Sequence, residues 1–84
     1  SDLNYDKGMS SYQNKDYDDA IRYLTKASKL SDGRKNVDLK YTLYQCYAAT
    51  DNTDMSTEVL KDILSFDENN EKALKALASI YNTK

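Results

Sequence analysis

The sequence repeats itself, and the repeat has the length of two helices. Displaced by 36 positions, Leu3 falls on Leu39, Tyr5 on Tyr41, Leu24 on Leu60 and Leu30 on Phe66. Displaced by 34, Leu43 falls on Leu77, Tyr44 on Ala78 and Tyr47 on Tyr81. The two extra residues of the longer shift sit in the loop at 31–36, where an insertion costs little loop-closure entropy. Between the matched positions there is no proline, and the chain has only two glycines, Gly8 and Gly33. Turns must therefore be few and short, and helices should dominate.

Hydrophobic spacing divides the chain into five helices. The clearest runs from Asp16 to Leu30, where Tyr17, Ala20, Ile21, Leu24, Ala27 and Leu30 recur at three- and four-residue steps and should be buried. Asp16, Asp18 and Asp19 gather at its start and Arg22, Lys26 and Lys29 toward its end, a distribution that suits the helix dipole. Asp16 is placed to cap the first turn. Ahead of it, residues 3–14 form a helix with a stripe of Tyr5, Met9 and Tyr12, and Gly8 on the same side, where a crossing helix comes close. Two helices joined by so short a turn pack antiparallel. Gly33 is expected in the left-handed conformation that ends helices. Asn36 then caps a third helix, 37–50, whose Leu39, Leu43, Cys46 and Tyr47 point inward, with Tyr41, Tyr44, Ala48 and Ala49 widening the stripe. A polar turn at 51–54 leads to a fourth helix, 55–66, burying Met55, Val59, Leu60, Ile63, Leu64 and Phe66. Asn69 or Asn70 caps a fifth, 71–83, with Leu74, Leu77, Ala78 and Tyr81 on one face and Lys72, Lys75, Ser79 and Asn82 on the other.

Charge and composition remove several classes of function. With 39% hydrophobic and 31% charged residues the chain is of the folded rather than the disordered type. A net charge of −2 and an isoelectric point near 4.9 argue against nucleic acid, which needs a basic surface to neutralise phosphates. The tyrosines at 41, 44 and 47 have no basic surround to support base stacking. No apolar run approaches the roughly 20 residues needed to span a bilayer. Cys46 stands alone, so no intrachain disulfide forms, and a buried apolar role is expected of it. The absence of histidine leaves a nucleophilic cysteine no histidine base, and no glycine-rich phosphate loop exists. No enzymatic activity and no cofactor are expected. Asp16, Asp18 and Asp19, or Asp51 and Asp54, lack the twelve-residue spacing and turn glycine of a calcium loop, and helix capping explains them. Abundant Lys, Asn, Asp and Tyr beside absent His, Pro and Trp resembles the bias of proteins from AT-rich bacterial genomes. The opening Ser1-Asp2 points to a processed product or a segment of something longer, which leaves the compartment open.

A period of about 34 residues built from helix pairs resembles the tetratricopeptide repeat. Its second-helix pattern is matched by Ala20, Leu24 and Ala27, and its first-helix pattern of large apolar, Leu, small and aromatic residues by Leu74, Leu77, Ala78 and Tyr81. Leu43 and Tyr47 keep the spacing in the second repeat, but Tyr44 takes the small-residue site, so a wider crossing of helices three and four is expected. In the first repeat Gly8 holds the small site, while Asn4, Lys7 and Ser11 are polar where the family is apolar. The proline expected at repeat ends is replaced by Asp32 and Glu68. The resemblance implies an all-α fold of antiparallel helix pairs stacked as a right-handed superhelical solenoid. It implies a single domain over 1–84: repeat one at 3–34, repeat two at 37–70, and a capping or partial third-repeat helix at 71–83.

In that family the first helix of each pair lines a concave groove that binds peptides or partner helices. Carried over by position, the partner-binding residues are Tyr12 from the first helix, Tyr41, Gln45 and Ala49 from the third, and Lys75 and Ser79 from the fifth. One subfamily, the chaperone co-factors, grips a terminal carboxylate with Lys, Asn and Arg residues. Those positions here carry Tyr5, Met9, Thr42 and Ala76, and Lys72 alone is kept, so specific binding of chaperone C-terminal tails is not expected. The function implied is a non-catalytic module that binds another protein. The alternative is a structural spacer or self-association segment of a larger assembly protein, possible in a cell envelope.

Overall fold

A computed structural model of the chain describes residues 3–30 and 32–83. Ser31, which belongs to the loop expected at 31–36, lies outside the described residues. Five helices follow in order: α1 (Leu3–Gln13), α2 (Tyr17–Ser28), α3 (Val37–Ala49), α4 (Thr53–Phe66) and α5 (Glu71–Asn82). Among the described residues there is no strand. Each helix packs on the next, and the one further substantial contact is between α1 and α3. This is the all-α arrangement of stacked helix pairs that the repeat implies.

The caps explain where the helices begin. Asn36 Oδ1 accepts from the Leu39 amide at 3.0 Å, Asn52 Oδ1 from Met55 at 3.1 Å, and Asn70 Oδ1 from Ala73 at 2.9 Å. Asn52 moves the start of α4 two residues ahead of the expected Met55. Asp16 occupies the corresponding place before α2, but its side chain makes no cap hydrogen bond. Its backbone is tied up instead: the Asp16 amide donates to Ser11 O at 2.8 Å and its carbonyl accepts from Ala20 at 2.9 Å. The acids of this turn still favour the positive end of the helix dipole.

The left-handed residues are not where the sequence suggested. No glycine has positive φ; Lys15 (φ 63°) and Asp51 (φ 60°) do. Each closes the tight turn inside a helix pair. Lys15 N–H donates to Tyr12 O and Asp16 N–H to Ser11 O, while Asp51 N–H donates to Ala48 O and Asn52 N–H to Tyr47 O. These are two copies of one Schellman closure, 36 residues apart. Gly33 is needed for a different reason. It is buried against the end of α2, and a Cβ on it would stand 2.0 Å from the Ala27 carbonyl oxygen. The loop from α2 to α3 is long enough to turn without a left-handed residue, but it passes too close for a side chain.

The interior is two connected clusters. The first joins Ala20, Leu24 and Ala27 of α2 to Leu39, Leu43 and Cys46 of α3 and Val59 of α4, with Tyr5, Met9 and Tyr12 of α1 packed on it. Gly8 is buried at the crossing of α1 and α2, where a Cβ would lie 2.6 Å from Leu24 Cγ and Cδ2. The second cluster is smaller: Leu60, Ile63 and Ala73, flanked by Leu64, Ala76, Leu77 and Ile80. Lys40 is also buried, at 8% exposure, and forms an ion pair with Asp62 across α3 and α4. Ser56, 36 positions after Ala20, is buried with a hydroxyl that has no hydrogen-bond partner.

Several residues expected inside are outside. Leu30 (48% exposed) lies beyond the last turn of α2, Met55 (39%) sits in the first turn of α4, and Ala48 and Ala49 end α3 in solvent. The larger correction concerns α5. Its buried face is Ala73, Ala76, Leu77 and Ile80, whereas Leu74 (46%), Ala78 and Tyr81 (51%) are exposed. Leu77 alone of the four expected residues turns toward α4. The other three lie outside the face that α5 lays on α4, its chief neighbour.

Burial fixes the chemistry of Cys46. It is fully enclosed, and desolvation of the thiolate pushes its pKa from 9.0 up to about 11. The native state therefore holds a proton that the unfolded chain releases above pH 9. Stability is complete below that pH and falls as pH rises through the window from 9 to 11. Urea unfolding at pH 8 and 10.5 should show that the parent loses roughly 1–2 kcal/mol more between the two than Cys46→Ala does. An equal loss in both would mean that the thiol is wetter than its position indicates. Burial also pushes Tyr44 upward, with Tyr41 adding to the effect, so alkali acts on it in the same direction.

Candidate protein-binding face

α1, α3 and α5 converge on one side of the molecule around a recess of about 310 Å³. Its lining is Tyr5 and Met9 from α1, Val37, Asp38, Tyr41, Thr42 and Gln45 from α3, and Lys72 from α5. The caps and the tight turns put these residues here. Asn36 starts α3 so that Val37, Tyr41 and Gln45 fall on successive turns of one face. Asn70 starts α5 one residue before its first turn, which brings Lys72 over the same face.

The tyrosines are held in place by their neighbours. The Tyr41 and Tyr44 rings lie 5.1 Å apart at a tilt of 50°. Lys72 Nζ stands 5.5 Å from the Tyr41 ring centroid, a cation–π arrangement that ties α5 to α3. Thr42 Oγ1 donates to the Asp38 carbonyl at 2.9 Å, so this hydroxyl is already engaged. The recess thus presents aromatic and aliphatic surface, the Met9 thioether, the Gln45 carboxamide, and one charge of each sign at Asp38 and Lys72. A carboxamide can both donate to and accept from a peptide backbone. The tyrosines supply contact area with a polar edge.

A second recess, of about 180 Å³, lies between α1 and the α2–α3 loop and is lined by Tyr5, Ala27, Leu30, Asp32, Gly33, Asn36 and Leu39. Tyr5 lines both recesses.

Of the six residues expected to meet a partner, the structure brings Tyr41 and Gln45 into the main recess. Tyr12 is half-buried, edge-on to Tyr17 at 6.2 Å, and packs on the first core cluster. Ala49, Lys75 and Ser79 are exposed on α3 and α5 but do not line it. Tyr5, Met9, Val37, Asp38, Thr42 and Lys72 do, and are not among those six. The repeat holds the signal for two of them: the 36-residue shift that pairs Tyr5 with Tyr41 also pairs Met9 with Gln45.

Asp16, Asp18 and Asp19 border a shallow recess with Lys15, Tyr17 and Thr50. Among the described residues no group of three acidic, thiol or imidazole side chains is placed to hold a metal ion. No helix among them is long and apolar enough to cross a membrane.

No curated protein matches the sequence. A family model described as tetratricopeptide repeat matches residues 11–80, from the end of α1 to the last turns of α5. Such repeats in general mediate contacts between proteins and are non-catalytic. With paired helices, two equivalent tight turns and this match over most of its length, the chain belongs to the tetratricopeptide repeat family.

Proposed function

We propose that this chain is a non-catalytic adaptor or scaffold module that binds a segment of another protein along the face of α1, α3 and α5. The observation that supports this reading is the recess in which residues of all three helices meet around Tyr41. Its mixed lining suits a peptide backbone with a small or medium apolar side chain. A nucleic-acid strand would need more positive charge than Lys72 supplies. Because Tyr5 borders both recesses, an extended segment could follow them in succession. Gln45 and Tyr41 are the central contacts in this reading. Tyr12 and Ala49 extend the face along α1 and α3, and Lys75 and Ser79 extend it along α5.

Peptides selected from a displayed random library against the intact chain provide the test. Gln45→Ala, shown by circular dichroism to be folded, should weaken the selected peptides about tenfold or more, the range of a central contact. Tyr41→Ala should weaken them further, and Lys26→Ala on the far side of α2 should leave them unchanged. Peptides that bind the Gln45 and Tyr41 variants as tightly as the parent would move the site off this face.

A further inference from the structure

The two recesses of the binding face are lined by three charged side chains, and these are segregated by sign. Asp32 lines the smaller recess, and Asp38 and Lys72 line the larger. The acids belong to the α2–α3 loop and the first turn of α3, whereas the cation stands on α5. A path from the smaller recess past Tyr5 into the larger therefore meets negative charge first and ends at positive charge on α5. The repeat shows where the sign changes. Asp38 and Lys72 are equivalent, 34 positions apart, and each is the second residue of its helix. One place on successive first helices thus switches from carboxylate to ammonium.

All three side chains are exposed, and none is in an ion pair with another described residue. Asp38 and Lys72 share a recess without joining each other, so each is open to a counter-charge. The Lys72 ammonium rests over the Tyr41 ring, 5.5 Å from its centroid, which steadies it without neutralising it. The loop cations Lys29, Arg34 and Lys35 line neither recess, and Arg34 Nε donates to the Lys29 carbonyl at 3.4 Å.

We propose that the segment bound along this face is itself charge-segregated. It is basic where it crosses the α2–α3 loop and the start of α3, acidic where it reaches α5, and apolar in the recesses between. This rests on the face proposed above and adds which segments that face selects. Asp32 and Asp38 attract lysine or arginine side chains and repel acids, and Lys72 does the reverse. Each charge therefore both selects and excludes. Exposed ion pairs are individually weak, but a segment of the wrong sign meets like charge at one end of the path or the other.

The probes are peptides selected from a displayed random library against the intact chain, then synthesised with both termini blocked. They should carry Lys or Arg toward one end and Asp or Glu toward the other. Lys72→Glu leaves only negative charge on the lining, and peptides selected against it should be basic throughout. Asp32→Lys combined with Asp38→Lys leaves only positive charge, and its peptides should be acidic throughout. Peptides selected against the parent should bind both of these variants at least about tenfold more weakly, a gap that narrows as salt rises. Lys72→Gln and Asp38→Asn should each abolish the preference for the matching charge, and they carry the test where a reversal unfolds the chain by circular dichroism. Peptides that depend on Gln45 and Tyr41 yet show no segregation, or the same charges against every variant, would overturn the inference and leave the face standing. Peptides indifferent to Gln45→Ala and Tyr41→Ala would overturn the face and the inference with it. Binding that requires a free terminal carboxylate in place of acidic side chains would overturn the inference as well.

Discussion

Leu24→Ala should remove about 3–4 kcal/mol, a large part of the stability of a domain this small. Leu24 is fully buried, in the larger core cluster, and touches the backbone crossing at Gly8. Truncating it loses the burial of its outer carbons and leaves a cavity that α1 and α2 cannot close without breaking their short turn. Gly8→Ala on its own gains about 1 kcal/mol of helix propensity but drives a methyl to 2.6 Å from Leu24 Cγ, so a net loss of about 1–2 kcal/mol is expected. In the Leu24→Ala background the side-chain clash is gone and the 3.2 Å approach to the residue 24 amide nitrogen remains, so the same glycine substitution should cost much less than it does in the parent. Urea unfolding of the two single variants and the double variant measures the coupling. A coupling below about 0.5 kcal/mol would mean that the two sites are independent and that the close crossing is not what Gly8 provides.

The second large effect is expected at Gly33. Gly33→Ala should cost roughly 3 kcal/mol, because the added carbon meets backbone rather than a movable side-chain end. It would lie 2.0 Å from the Ala27 oxygen, 2.8 Å from the Ala27 carbonyl carbon and 3.0 Å from Ser28 Cα. Relief requires moving the loop that Gly33 itself anchors: its amide donates to Leu30 O at 2.9 Å and its carbonyl accepts from Asn36 at 3.3 Å. Since Asn36 caps α3, the damage should spread to the junction of the two helix pairs. Amide exchange should quicken at residues 37–40 in Gly33→Ala and stay unchanged within α4. A loss under about 1 kcal/mol, well below the cost of ordinary overpacking, would show that the loop can lift away from α2 freely.

These two glycines also show how far the sequence can be read. Gly8 is legible as a crossing point because it sits on the same face as Tyr5, Met9 and Tyr12. Gly33 is recognisable as a helix stop, but its reason is steric contact with α2, which local spacing does not contain. The left-handed conformation falls to Lys15, whose type gives no hint of it, and to Asp51, whose type is enriched there but equally common in caps. Caps are readable at Asn36 and Asn70 and misleading at Asp16, whose side chain is correctly placed yet makes no cap bond. Burial is legible for the middle of α2 and α3, which have neighbours on two sides, and fails at their ends, where Leu30, Ala48 and Ala49 are exposed. On α5 the periodic pattern marks a face suited to packing, and only the presence or absence of a neighbour decides whether Leu74 and Tyr81 are covered. Lys40 is invisible as an interior residue because its partner, Asp62, lies 22 positions away. Tyr41 and Gln45 can be placed in the recess by register, whereas Lys72 joins them through the way α5 packs.

The order of contacts along the stack has a kinetic meaning. Each helix rests chiefly on the one before and the one after it, and no helix must wait for a distant part of the chain. Forming the first hairpin requires only the closure of the turn at Asn14–Asp16, and each later helix docks on a surface already made. The entropy of bringing the chain together is thus met in small local steps, the condition under which small domains fold within microseconds to milliseconds. Growth from either tight turn is expected to spread outward, so several routes of assembly are expected rather than one obligatory nucleus.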